Sequence, residues 1–193
     1  MEAVIGFGIR DLLFMPAAAV IEVDQETALV DAARNGNSDA FGRLYEIHAR
    51  MVHGLLIARA PRDEVDDLTQ EVFLSAFRKL HTLRDSAAFG PWLAVIARNR
   101  SRDFYRHRSE TEELEEGTAV SVGSSATEAD AEAILAIIRG LPDAYRETLV
   151  LRLVEGMTGP EIADRTGLTA ASVRVNLHRG MKLLREKLGG GRR

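Results

Sequence analysis

The residues best equipped to do chemistry on another molecule are arginines, and they fall in two blocks. Arg98–Arg108 holds five arginines against one acid, Asp103, and Thr169–Arg193 holds seven basic residues against Glu186. Guanidinium groups pin phosphates and bond guanine edges bidentately, so both blocks point to nucleic acid. The first block is interleaved with aromatics: Phe89, Trp92, Phe104 and Tyr105 stand among Arg98, Arg100, Arg102, Arg106 and Arg108. Basic groups beside aromatic faces suit unstacked, single-stranded bases. The competing reading makes each aromatic a core residue under solvated arginines.

Catalytic chemistry finds little support. The histidines are His48, His53, His81, His107 and His178. His48 and His53 are five apart and point to different faces of a helix. No H-E-x-x-H, G-x-S-x-G or P-loop spacing occurs. The chain has no cysteine, which excludes disulfides, thiolate metal sites and cysteine nucleophiles. Neither enzyme activity nor a metal or cofactor is expected.

Elements must position the two arginine blocks, and their charge setting separates them. The 193 residues carry a net charge of −4, distributed unevenly. Residues 1–23 are net −2, 24–108 net +1, 109–132 net −8 and 133–193 net +5. Local charge decides where phosphate docks, so the basic blocks outweigh the acidic total. The start is acidic and its apolar run is broken by Arg10–Asp11, unlike an export signal. With no run of membrane-spanning length, the cytoplasm is the expected compartment. Residues 1–23 read as an extension of uncertain status, with a second candidate start at Met15.

From Asp24 the apolar period is helical. A short helix around Leu29, Val30 and Ala33 stops at Asn35-Gly36-Asn37. Ser38 is placed to cap the next, which carries Phe41, Leu44, Tyr45, Met51, Val52, Leu55 and Leu56 until Pro61. A third opens at Asp63–Glu64 and a fourth runs from about Ala88 to Arg108. Residues 109–126 are acidic, then rich in Gly, Ser and Thr, the composition of a flexible linker. Helical periodicity resumes at Thr127, Pro142 starts another helix, and Gly156 ends it. No strand-length alternation occurs. The expected fold is all-α, with two small helical domains (24–108 and 133–193) joined by a flexible acidic linker (109–132).

The second domain ends in a helix-turn-helix pattern. Thr158-Gly159-Pro160-Glu161 has capping-box spacing, Gly167 can take the positive φ of a tight inter-helix turn, and Thr169 can cap the last helix. At 100° per residue, Val173, Leu177, Met181, Leu184 and Leu188 share one face of that helix. The opposite side shows Ala171, Ser172, Val175, His178, Arg179 and Lys182, with Arg174 on the flank. Small residues followed by arginines let a helix enter a major groove. In the third helix, Val65, Leu68, Val72, Ala76 and Leu80 form the core face. Leu74 lies opposite, beside Asp67, Gln70, Glu71 and Arg78, as a partner contact or as an ordinary exposed leucine.

Taken in order, DLTQEVFLSAFRKL, LRDSAAFGPWLAVIARNRSRDFYRHR, an acidic linker, LPDAYRETLVLRLVEGMTGPEIADRTGL and ASVRVNLHRGMKLLREKL closely resemble a bacterial RNA polymerase sigma factor. The resemblance is to the sigma-70 family, in its extracytoplasmic-function group, and covers about residues 25–188. It implies that 24–108 is the region 2 domain and 133–193 the region 4 domain. It implies promoter-specific initiation with core RNA polymerase, contacts to the β′ clamp helices and β flap, and an anti-sigma factor as a further partner. Asp67, Gln70, Glu71 and Phe73 match the clamp-gripping segment, and Leu74 joins that surface. The loop 83–90 and the helix through Trp92 and Asn99 match the part that reads the −10 element and traps a flipped base; Phe89, Arg100 and Arg102 are assigned with them. Arg174, Val175, His178 and Arg179 match the helix that reads the −35 element, and Ser172 and Lys182 extend that face. The chain departs from the family pattern at Val175-Asn176, where Ser-Arg is common, at Gly180, where Ala is usual, and at Phe89-Gly90-Pro91.

Overall fold

The structure is a computed structural model describing residues 23–112 and 126–189. Among these residues every regular element is a helix. In chain order they are α1 (Val23–Arg34), α2 (Ser38–Ile57), α3 (Val65–Lys79), α4 (Phe89–Glu112), α5 (Ala126–Arg139), α6 (Asp143–Leu153), α7 (Gly159–Thr166) and α8 (Ala170–Gly189). Single 3-10 turns cover Arg62–Glu64, Leu80–Thr82 and Ser86–Ala88. No described helix is long and apolar enough to cross a membrane.

α1 begins well before its expected apolar centre and ends where Gly36 takes φ +93°. The cap of α2 is Asn37, not Ser38. Its side chain accepts the Ala40 amide at 3.0 Å. An amide oxygen satisfies an orphan donor of the first turn as well as a hydroxyl does, and asparagine heads the N-cap preference. The acidic start expected for α3 is a 3-10 turn over Arg62–Glu64 that feeds the α-helix at Val65. α4 continues beyond Arg108 to Glu112, so the first residues assigned to the linker are helical. Residues 113–125, the rest of the expected flexible linker, lie outside the described residues, as do 1–22.

α2 is the central element. Leu44, Met51, Val52, Leu55 and Leu56 are buried along it, and α1, α3 and α4 pack around it. Val72 and Ala76 of α3 and Leu93, Ala94 and Ala97 of α4 close this first core. Leu149 and Leu151 of α6, Ile162 of α7, and Val173, Leu177 and Leu184 of α8 form the second. The cores are continuous, because α6 and α7 pack on α2, and α7 on α4. At the crossing of α6 and α8, a Cβ on Gly180 would stand 3.0 Å from Leu149 Cδ1 and 3.2 Å from Tyr145 Cβ. The glycine lets these helices approach closely.

Candidate nucleic-acid interface

The helix-turn-helix forms as its local signals require. Thr158 accepts the Glu161 amide at 3.3 Å, and Glu161 accepts the Thr158 amide at 2.7 Å, a complete capping box. Burial alone would raise the Glu161 pKa, but the bonds from the Thr158 backbone and hydroxyl, with Arg165 and Arg50 nearby, hold it below the ordinary value. Gly167 stands at φ +74° and its amide returns to the Ala163 carbonyl at 3.1 Å. Thr169 caps α8 by accepting the Ser172 amide at 3.1 Å.

α8 turns Val173, Leu177 and Leu184 into the core, as its period requires, while Leu188 remains exposed near the end. Ser172, Arg174, Val175, His178, Arg179 and Lys182 are all exposed on the other side. The Ser172 hydroxyl lies 2.8 Å from Thr169 Oγ1, so it serves the helix start. Lys182 lies 4.0 Å from Glu186 one turn on.

The residues expected to meet the −10 element separate. Asn99 and Arg102 are exposed on α4 and Trp92 is half-buried. Phe89 is corrected: its side chain is 0% exposed, with its ring centroid 5.1 Å from that of His48 and 5.8 Å from that of Trp92. It anchors the start of α4 in the core because that helix crosses α2 there, and it presents no face to a base. Arg100 bonds the Glu71 carboxylate across from α3. This ties a residue of one expected surface to a residue of the other.

On α3, Asp67, Gln70, Glu71 and Leu74 are exposed together, and Leu74 is 55% exposed. Phe73 points inward against Phe41 and Tyr45. A shallow open groove of about 360 Å³ lies between Leu74, Ser75, Arg78, Lys79, Glu71 and Arg100.

A group of charges that sequence reasoning did not assemble lies between the two halves. Glu147 of α6 is buried and accepts Arg98 through Nε at 3.0 Å and Nη2 at 3.1 Å. Its Oε1 also lies 2.5 Å from Arg59 Nη2. Arg98 thus leaves the basic block and becomes internal. Arg139 donates to the carbonyls of Ile57 at 3.1 Å and Ala60 at 3.0 Å, and Arg165 donates to the carbonyl of Ile47. Nδ1 of His53 lies 2.6 Å from the Glu155 carboxylate, and Arg50 donates to the Glu155 carbonyl. The available signal was Arg59 itself, a charge set in the apolar run Leu55–Ala60.

Comparison with known proteins places this architecture. The sigma-70 region 2 family model matches residues 44–111, and the sigma-70 region 4 model matches residues 131–184. The chain is 35% identical over 163 residues to the RNA polymerase sigma factor CarQ of Myxococcus xanthus, covering 81% of this chain and 93% of that protein. It is 31% identical over 169 residues to the ECF RNA polymerase sigma factor BldN of Streptomyces coelicolor, covering 81% of this chain and 63% of that one. A solved structure of CnrH in complex with the cytosolic domain of CnrY superposes with a TM-score of 0.62 at 26% identity. It covers 86% of this chain and 99% of CnrH. The region 2 and region 4 matches in this order, on an all-helical frame, make the chain a member of the sigma-70 family of RNA polymerase sigma factors, in its extracytoplasmic-function group, with a role in transcription initiation.

Proposed function

We propose that this protein directs core RNA polymerase to promoters by reading a −35 element with α8 and a −10 element with α4. The domain held around α2 (24–108) reads −10 and the one ending in α8 (133–193) reads −35. The observation that carries this reading is the exposed face of Arg174, Val175, His178, Arg179 and Lys182 on a helix started by a capped, glycine-turned helix-turn-helix. A major groove admits one helix, and arginines at its exposed face reach guanine N7 and O6 or the flanking phosphates. Asn99 offers donors and an acceptor to a base edge, Trp92 a half-buried aromatic face, and Arg100 and Arg102 charge for the displaced strand. Opening DNA without ATP requires trapping unstacked bases, and these residues supply that trap.

Asp67, Gln70, Glu71 and Leu74 form the surface for the β′ clamp helices, with region 4 reaching the β flap. CnrH, a relative of the same fold, is held by the cytosolic domain of CnrY. A protein antagonist of that kind in the cytoplasm fits this chain as well.

Run-off transcription with purified core polymerase on a promoter library tests the proposal. Sequence-selective transcripts that depend on α8 are expected. A chain that binds duplex DNA but leaves core polymerase unprogrammed would instead be an ordinary helix-turn-helix regulator.

A further inference from the structure

We infer that the protein has a self-closed resting form, locked by Glu147 between Arg59 and Arg98, which must open before both promoter elements are engaged. The inference rests on the −10 and −35 reading above. Among the described residues, the polar bridges of the seam join α2 or α4, or the loop after α2, to the second half, so closure is a specific docking. Glu147 is buried and serves one arginine from each of two first-half segments, Arg98 on α4 and Arg59 after α2. Breaking such a pair strands charge out of water, which makes it selective for one arrangement. The surfaces are also shaped to meet. A Cβ on Gly54 would lie 2.7 Å from Leu151 Cδ2 and 2.8 Å from Glu155 Cγ. One on Gly90 would lie 3.2 Å from the Arg165 carbonyl oxygen.

Closure leaves the readers uncovered, since Asn99, Arg102, Arg174 and Arg179 are exposed. What it constrains is their separation. A folded unit of this size is about 40 Å across. Elements centred 25 base pairs apart, as −35 and −10 are named, stand ~85 Å apart along B-DNA. The closed form meets one element at a time. Between Glu112 and Ala126 the extended chain reaches ~50 Å, enough for the separated halves to span both. Polymerase that binds only the open form sees an affinity reduced by the open fraction.

The chain lacks cysteine, so Asp39→Cys and Lys187→Cys place a donor and acceptor dye on exposed positions of the two halves. In the full-length protein, Glu147→Gln and, separately, Gly54→Leu are expected to lower energy transfer while circular dichroism keeps its helix signal. The same variants are expected to bind core polymerase more tightly, about tenfold if the closed form outnumbers the open one by about ten to one. Adding core polymerase to the labelled parent chain is expected to lower transfer as well. Folded variants with parental transfer, opened variants with parental affinity, or a parent whose transfer is unchanged in the polymerase complex would each overturn the inference. If no form binds polymerase, the functional reading fails, and the two variants' transfer values still decide whether the seam is the lock.

Discussion

At the scale of single residues, exposure separates the candidates. Arg174→Ala and Arg179→Ala leave the core untouched, so folding should survive while −35-dependent transcription falls. A base-reading arginine is worth ~1–3 kcal/mol at one promoter position, whereas a phosphate contact lowers the salt slope. Run-off assays across salt concentrations distinguish the two, and unchanged transcription in both variants would remove α8 from the groove. Leu74→Lys should abolish core-polymerase binding at a stability cost within about 0.5 kcal/mol, because Leu74 is 55% exposed. A variant that melts early but binds normally would reverse that assignment. Phe89 belongs to the opposite class. Its burial beside His48 and Trp92 means that Phe89→Ala should cost about 3–5 kcal/mol in denaturant unfolding, an effect independent of DNA.

At the scale of elements, close approach and titration set the tests. Gly180 sits where α8 crosses α6, and a larger side chain there meets Leu149 and Tyr145. Gly180→Val should destabilise by about 1–3 kcal/mol through overpacking, read as a lower melting temperature. The seam between α2 and the loop after α6 is instead sensitive to pH. The Glu155 hydrogen bond holds the His53 pKa above its ordinary 6.5; burial opposes this, Asp66 adds to it and Arg62 opposes it. Arg50 meets the Glu155 carbonyl at the same place. A pKa raised in the closed form means that the contact contributes fully below 6.5 and is lost as pH rises through the raised value. Dye transfer between the halves should therefore decline on alkalinisation through that window. His53→Gln should flatten the dependence, and an equal decline in that variant would place the titrating group elsewhere.

For the whole molecule, the seam predicts cohesion without covalent continuity. The acidic composition of residues 109–116 makes them the expected site for a glutamate-specific protease. After a cut beyond Glu112, the two halves should co-elute on size exclusion, held by Glu147, Arg59, Arg98 and Arg139. In Glu147→Gln they should separate. Co-elution in both would mean that apolar packing alone holds the halves together.

Much of this molecule is decided by local physics and is legible in the amino-acid sequence by itself. Helix periods, the Thr158–Glu161 capping box and the Gly167 turn are settled within a few residues of chain. They suffice to place the helix-turn-helix, its exposed arginine face and Leu74. The order of the two motif blocks carries the family. Tertiary structure alone decides what a side chain meets across elements. Phe89 and Arg98 sit in the same aromatic and basic run as Asn99 and Arg102, yet the first pair turn inward and the second outward. Arg59 requires a partner because charge is not buried unpaired, but that partner is Glu147, far along the chain on α6. Separation in sequence carries no record of proximity in space. Only the packing of α6 and α7 onto α2 and α4 brings those charges together and closes one half on the other.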